Sequence, residues 1–401
     1  MPEVPEGWRI APLSELVDAR GITYGVVQPG PFVEDGIPLV RVADFKSDGI
    51  CREALMRIDP AIAARYDRSR LTGSEVLITL VGTVGLVAVA SDELVGCNVA
   101  RAVGVVPVSD PLTAQWVARS LRSAAVRRFF DDRLNTTVQK TLNLRDLASL
   151  RVPLPPPHEI LAITEVLGAL DDKVDSDRRT ADSARAVLMH AVPASGEPLP
   201  LDQIADFRNG GALTKYATGS GRPILRIKEL RAGVSADTPR TEAAVRDTQT
   251  VESCDLLFSW SGTLLTNRWY GEPAVLNQHV FRVDPRPGYS RWFVEAWIER
   301  HLTTFRGIAA DKATTMGHIQ RRHLTEALVG LPTGARIDAL MREYDPLDDL
   351  RMSLLTEAER LVALRGALLP RLVSGRIRVP LTNDPDEAIE TVLHACVESP
   401  D

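Results

Sequence analysis

This chain carries one segment twice, and the repeat sets what it can fold into. Leu170-Asp171-Asp172 recurs 177 residues later as Leu347-Asp348-Asp349. The same step carries Leu154-Pro155 onto Leu331-Pro332, Leu147 onto Leu324, and Val192-Pro193 onto Leu369-Pro370. A long amphipathic segment follows a Leu-Pro pair in each copy. In the first, apolar or small residues fall at Ile160, Ile163, Leu167, Leu170, Val174, Ala181, Ala184 and Leu188, with Asp177 interrupting. In the second they fall at Ile337, Leu340, Tyr344, Leu347, Leu350, Leu354, Ala358, Leu361, Leu364 and Leu368. Alternating steps of three and four residues make a helix seam that needs another helix. Two such seams in one chain most simply cover each other. Each helix would hold about 36 residues and run roughly 50 Å at 1.5 Å per residue.

At 401 residues, two or three domains are expected. No run approaches a membrane span, and the acidic, Pro-rich start Met1-Pro2-Glu3-Val4-Pro5-Glu6 is not a signal peptide. The four cysteines (Cys51, Cys97, Cys254 and Cys396) form no C-x-x-C pair and read as reduced, cytoplasmic thiols. The net charge of −6 argues against a general nucleic-acid coat. Its distribution is uneven. Residues 1–157 are neutral, 158–196 carry −3, 197–333 carry +2 and 334–401 carry −5. Acid sits on the helices and tail, so either globular part could still present a basic face.

The globular parts repeat as well. Pro12 to Asp18 reads as a short helix-like piece, followed by a Gly/Pro-rich loop to Gly36 and a strand, Ile37 to Val42. In the second half Pro200 to Asp206, a Gly-rich loop to Gly221, and Arg222 to Ile227 correspond, with Arg41 matching Arg226. Glu75 to Thr79 and Asp255 to Ser259 read as buried strands before Gly82-Thr83 and Gly262-Thr263. Asn98 is matched with Asn277. Helices are expected over 114–130 and 292–304, then polar loops at 134–140 and 310–315. Each unit is therefore a mixed α/β domain. The offset between halves falls from 188 to 177, with the changes in loops, as expected when one scaffold reads two ligands. A tail helix is expected from Asn383, with a Pro in its first turn. The expected division is 1–155, a first domain; 156–196, a long helix; 197–333, a second domain; 334–374, a second long helix; and 375–401, the tail.

The order of these parts resembles the specificity subunit of type I restriction–modification enzymes across roughly residues 7–380. The marks are Gly7-Trp8 before Leu13-x-x-Leu16, Gly36-Ile37-Pro38-Leu39-Val40-Arg41, Val76-Leu77-Ile78 before Gly82-x-x-Gly85, Leu142-Asn143-Leu144-x-x-Leu147, Val152-Pro153-Leu154-Pro155-Pro156, and Leu369-Pro370-x-Leu372-x-Ser374-Gly375. Pro157-His158-Glu159 stands where the family usually shows Glu-Gln, and Leu331-Pro332-Thr333-Gly334 lacks the run of prolines. The resemblance implies two target recognition domains, each reading half of a bipartite double-stranded DNA site. It implies that the helices form an antiparallel coiled coil, which spaces the half-sites and docks two methyltransferase subunits. Endonuclease/translocase subunits join such complexes. It implies no catalytic centre and no cofactor in this subunit.

Residue chemistry gives the same exclusions. Gly82-Thr83-Val84-Gly85 reads as a tight turn, because Gly262-Thr263-Leu264-Leu265 lacks its second glycine. Asp171-Asp172-Lys173 reads as a solvated helix face, and its copy has Leu350 in place of the lysine. The seven histidines show no metal-ligand spacing. Candidate DNA contacts are Arg65, Arg68, Arg70, Arg133, Asn135, Thr137 and Lys140 in the first unit. In the second they are Arg208, Asn209, Lys215, Tyr216, Asn267, Arg268, Trp269, Tyr270, Lys312 and Arg321. Arg pairs bidentately with guanine and Asn with adenine, while Lys and hydroxyls position the backbone. Arg41 and Arg226, present in both copies, read as scaffold or phosphate contacts. The competing reading is a two-domain coiled-coil scaffold that binds no DNA.

Overall fold

The structure is a computed structural model that describes residues 4–46, 49–133, 141–193, 196–310, 317–332, 334–380 and Thr391. Two compact units make up the chain, Met1–Asp172 with Val362–Asp401, and Lys173–Leu361. The expected tail helix, Thr391 apart, the polar loop at 134–140, and all but Ala310 of the polar loop at 310–315 lie outside the described residues.

Both units have one topology. In the first, strand Arg9–Pro12 pairs antiparallel with Arg151–Leu154. A four-stranded sheet runs in the order Thr23–Tyr24, Val103–Val106, Val76–Thr79, Val87–Val89. A smaller sheet sets Ile37–Val40 between Met56–Ile58 and Asn98–Val99, the latter pair parallel. In the second, Glu197–Pro200 pairs with Leu328–Leu331, and a four-stranded sheet runs Ala205–Asn209, Val280–Pro285, Leu256–Ser259, Thr266–Arg268. Arg222–Leu225 again lies parallel to Ala274–Leu276, and the strand Thr250–Val251 is added at the far edge.

Register corrects the sequence alignment in one place. Leu39 faces Asn98, and its equivalent Ile224 faces Val275. The amide of Ala100 donates to Val40 O and that of Asn277 to Leu225 O. Asn277 therefore matches Ala100 rather than Asn98, and the 177-residue offset already holds here. The side chains differ accordingly. Asn98 Nδ2 donates to the carbonyls of Ala63 and Tyr66, whereas Asn277 Nδ2 reaches the Thr214 hydroxyl.

Several boundaries also shift. Pro12 to Asp18 is a strand end followed by a 3-10 turn, Leu13–Glu15. The strand Ile37–Val40 stops two residues early, because Arg41 caps a helical turn, Val42–Asp44. The helix expected over 114–130 is two, Pro111–Leu121 and Ala124–Asp131, divided at Ser123, whose hydroxyl accepts from Val126 N and starts the second. The Gly82 segment is the turn of a hairpin. The Thr79 hydroxyl donates to Thr83 O and accepts from Leu86 N, and the Ser259 hydroxyl repeats the arrangement with Thr263 O and Leu265 N.

The long helices are Pro157–Ala191 and Ala335–Val373. Proline at the first position suits a helix start, where the missing N–H has no partner to lose. Every seam residue named for the first helix is buried, and so is Asp177 at the interruption. Within each unit the helix portions run antiparallel. In the first unit Arg365 bonds Asp171, while Arg378, beyond the helix end, reaches back to Glu159 at 3.7 Å. In the second, Arg178 pairs with Glu359 at 3.0 Å, while Leu188 and Val192 share a core with Met341. The second seam is only partly as expected. Leu350 is exposed, and the buried positions around it are Met341, Asp348, Arg351 and Met352.

The loops that leave the sheets are anchored by close backbone approach. A Cβ on Gly25 would sit 1.7 Å from Val99 O, and one on its equivalent Gly210 would sit 2.2 Å from Leu276 O. Gly36 and Gly221 are held the same way, with a Cβ placed 2.3 Å from Ile58 O and 2.5 Å from Thr241 O. Gly25→Ala must push strand and loop apart. Overpacking of that kind costs about 1–3 kcal/mol, to be read as a lower urea midpoint for the first unit.

Candidate nucleic-acid interface

In the first unit the loop from Gly25 to Gly36 lies against the segment bearing the candidate arginines. Val33 N donates to Arg57 O at 3.1 Å, and a Cβ on Gly30 would sit 3.1 Å from Ile62; ahead of the loop, the Arg68 guanidinium donates to Arg20 O. Arg65 follows a one-turn helix, Pro60–Ala64, whose N-cap Asp59 accepts from Ala61 N. Arg65 and Arg68 are exposed. Arg70 is half-buried, 3.8 Å from Asp67. Arg133 is exposed at the end of its helix, its guanidinium 3.8 Å from the centre of the Phe129 ring. Asn135, Thr137 and Lys140 lie outside the described residues, as does Lys312 in the second unit.

In the second unit Arg208 and Asn209 end the edge strand and are exposed. Arg208 Nε pairs with Asp284 at 2.6 Å. Lys215 and Tyr216 lie on a 3-10 turn, Leu213–Tyr216, with the ammonium 4.9 Å from the ring centre. Arg321 is exposed, donates to Phe207 O at 3.0 Å and lies over the Phe281 ring. These side chains have an outward-facing charge or ring within a short reach of solvent.

Asn267-Arg268-Trp269-Tyr270 is placed differently. Alternation along the strand Thr266–Arg268 turns the Arg268 side chain inward, where it is 2 % exposed. It bonds Asp348 at 2.9 Å and Cys254 O at 3.0 Å. Trp269 is buried and donates to Glu272 O. Asn267 Nδ2 donates to Leu230 O at 2.6 Å. Burial, then the charge of Glu359, push the Tyr270 hydroxyl above its ordinary range. The expectation that this run meets DNA is therefore corrected for Arg268 and Trp269. An aromatic-cation run looks the same whether it faces a ligand or stitches a strand to a helix.

Arg41 and Arg226 also turn inward upon their own turns. Arg41 holds Asp44 through Nε and Nη2, and Arg226 holds Glu229 likewise at 2.9 and 2.6 Å. These hydrogen bonds raise both guanidinium pKa values. Burial alone would raise Glu229, but the Arg226 hydrogen bonds outweigh it and leave the carboxyl lowered. Their role is to cap the turn after the central strand.

Sequence reasoning missed what the repeated Leu-Asp-Asp does. Its first aspartate is clamped rather than solvated. Asp171 accepts from Arg119 at 3.2 Å and from Arg365. Asp348 is buried against Arg268 and Arg351. Arg351 in turn grips Glu295, fully buried on helix Arg291–Ala310, at 2.8 and 3.1 Å, and Arg185 reaches the same carboxylate at 3.3 Å. The signal was the repeat itself, since a solvated pair would have no reason to recur at a fixed step. Among the described residues no group of His, Cys, Asp and Glu could hold a metal ion, and no helix is long and apolar enough to cross a membrane.

No protein-family model matches the chain. It is 31 % identical over 196 residues to the type I restriction enzyme EcoBI specificity subunit of Escherichia coli, covering 44 % of this chain and 38 % of that protein. It is 23 % identical over 259 residues to the EcoKI specificity subunit of Escherichia coli strain K12, covering 58 % of this chain and 55 % of that one. The matches thus span between about a third and just over half the length of these relatives. Among solved structures, the type I restriction–modification S subunit from M. genitalium aligns with 91 % of this chain and 96 % of its own, at 15 % identity and a TM-score of 0.49. The HsdS subunit from Thermoanaerobacter tengcongensis aligns with 94 % and 98 %, at 17 % identity and a TM-score of 0.40. The chain is similar to type I specificity subunits in sequence.

Proposed function

We propose that this chain is the DNA sequence-specificity subunit of a type I restriction–modification complex, in which each of its two duplicated domains reads one half of a bipartite duplex site. The observation that carries the reading is a single topology used twice with different loops. The sheets and the turn-capping arginines repeat, while exposed cations and amides differ between the copies. A repeated scaffold with altered loops suits two related ligands of different sequence. The paired helices serve as spacer and as docking element for two methyltransferase subunits, and endonuclease/translocase subunits join the same assembly. The subunit acts in the cytoplasm and contributes recognition, while its partners contribute the chemistry.

Duplex binding by the full chain with its methyltransferase subunits, titrated against salt, tests this. Six to ten phosphate contacts lower the affinity by about 10³–10⁵ between roughly 50 and 200 mM salt. A flat salt dependence would instead indicate a scaffold that holds proteins and leaves DNA alone.

A further inference from the structure

Among the described residues, the two most exposed large hydrophobic side chains are Phe32 and Tyr216, at 62 % and 53 %. Single exposed apolar residues are ordinary on protein surfaces. This pair is not placed at random. Phe32 lies on the loop from Gly25 to Gly36, and Tyr216 on the loop from Gly210 to Gly221. Both loops span the same number of residues, and both are anchored at each end by the glycines that abut a neighbouring backbone carbonyl. Between those glycines the loops have no residue in common at equal spacing. The aromatic alone persists, displaced by one position.

Each ring is also held out on a stiffened support. Pro29 and Pro31 restrict the approach to Phe32, and Gly30 takes a positive φ of 71°. Val33, the next residue, is tied to Arg57 O. Tyr216 closes a 3-10 turn, and its carbonyl accepts from the Thr241 hydroxyl at 2.8 Å. A ring presented this way loses little freedom when it is covered. A cation lies over the second ring, Lys215, and in the first unit Arg68 is held against Arg20 and Gly21, just ahead of the loop. Exposed Glu34 and Asp35 follow Phe32, so its tip repels phosphate and favours a base.

We infer that Phe32 and Tyr216 are base-contacting residues, each stacking on or wedging beside a base step of the half-site that its own unit reads. This rests on the DNA-reading function proposed above. Aromatic stacking is sequence-tolerant and carries no charge, so it adds affinity without releasing counterions.

The test uses the full chain assembled with its methyltransferase subunits on its own methylated motif, identified by methylome sequencing. Phe32→Ala and Tyr216→Ala are expected to weaken binding about 5- to 150-fold each, with the slope of log affinity on log salt unchanged. Phe32→Tyr and Tyr216→Phe retain the affinity, because the ring is what matters. With 2-aminopurine placed through the site, each Ala variant loses its fluorescence change in one half-site only. Binding by the Ala variants within twofold of the parent overturns the assignment, as does a shallower salt slope, which would mark a phosphate contact. Loss of methyltransferase assembly in either variant also overturns it, making the loop a protein contact. Absence of salt-sensitive binding by the parent complex sinks the proposed function with it, whereas normal parent binding with unaffected variants sinks the aromatic assignment alone.

Discussion

Glu295→Ala is expected to destabilise the second unit by about 3–5 kcal/mol, the usual effect of removing one partner from a buried ion pair. The carboxylate is fully buried and receives both arms of Arg351, with Arg268 and Arg185 close by. Its loss strands guanidinium groups that have left water. Burial alone would raise the Glu295 pKa, but Arg351 first, then Arg268 and Arg185, bring it below its ordinary value. Asp348, in the same cluster, goes the other way. Burial dominates there, the guanidinium of Arg268 only partly offsets it, and the charge of Glu295 adds to the rise. The two acids therefore differ in sign. Glu295 contributes stability that is fully present above the ordinary glutamate range, about 4.3, and is lost as pH falls through its lowered folded value. Asp348 is less comfortable ionised in the folded chain than in the unfolded one. It detracts from stability at neutral pH, and that penalty fades as pH falls through its raised value. Asp348→Asn should thus be far milder at pH 7 than Glu295→Ala. Urea unfolding followed by tryptophan fluorescence reports mainly the second unit, which holds Trp260, Trp269, Trp292 and Trp297. Equal losses for the two variants would refute the division of roles.

Exchanging residues 1–150 for the corresponding part of another specificity subunit should replace one half of the recognised sequence and leave the other intact. The effect is large because each wrong base pair costs about 1–3 kcal/mol, roughly additively. Three such pairs would move the preferred half-site by several orders of magnitude in affinity. Methylome sequencing of cells that carry the hybrid reads this directly. A motif that changed in both halves, or in neither, would show that the domains do not read independently.

The architecture was legible because it is duplicated. Periodicity alone located the first seam residue by residue, since the apolar positions from Ile160 to Leu188 are all buried and the one break in their spacing is Asp177. In the second helix the same rule placed Leu350 inward and missed Asp348 and Arg351. Hydrophobic spacing has no means of finding a seam position occupied by a paired charge. The contact surface was harder to read for a related reason. Arg208, Lys215 and Arg321 are exposed, whereas Arg268 and Trp269 are structural. All belong to residue types enriched at DNA interfaces, and what separates them is that Arg268 and Trp269 are buried and bonded to Asp348 and to the Glu272 carbonyl, which the local sequence does not reveal. Phe32 went unnoticed because a lone aromatic after two prolines carries no pattern until the anchoring glycines align its loop with that of Tyr216.

The glycine-anchored loops bear on how such a chain could acquire a new target. Each begins and ends at a fixed carbonyl, at Val99 and Ile58 in one unit and at Leu276 and Thr241 in the other. The stretch between keeps its eleven-residue stride in both copies. Val26 and Leu213, buried in the cores beneath, hold each loop down, so rewriting falls to its exposed positions while the platform keeps its shape.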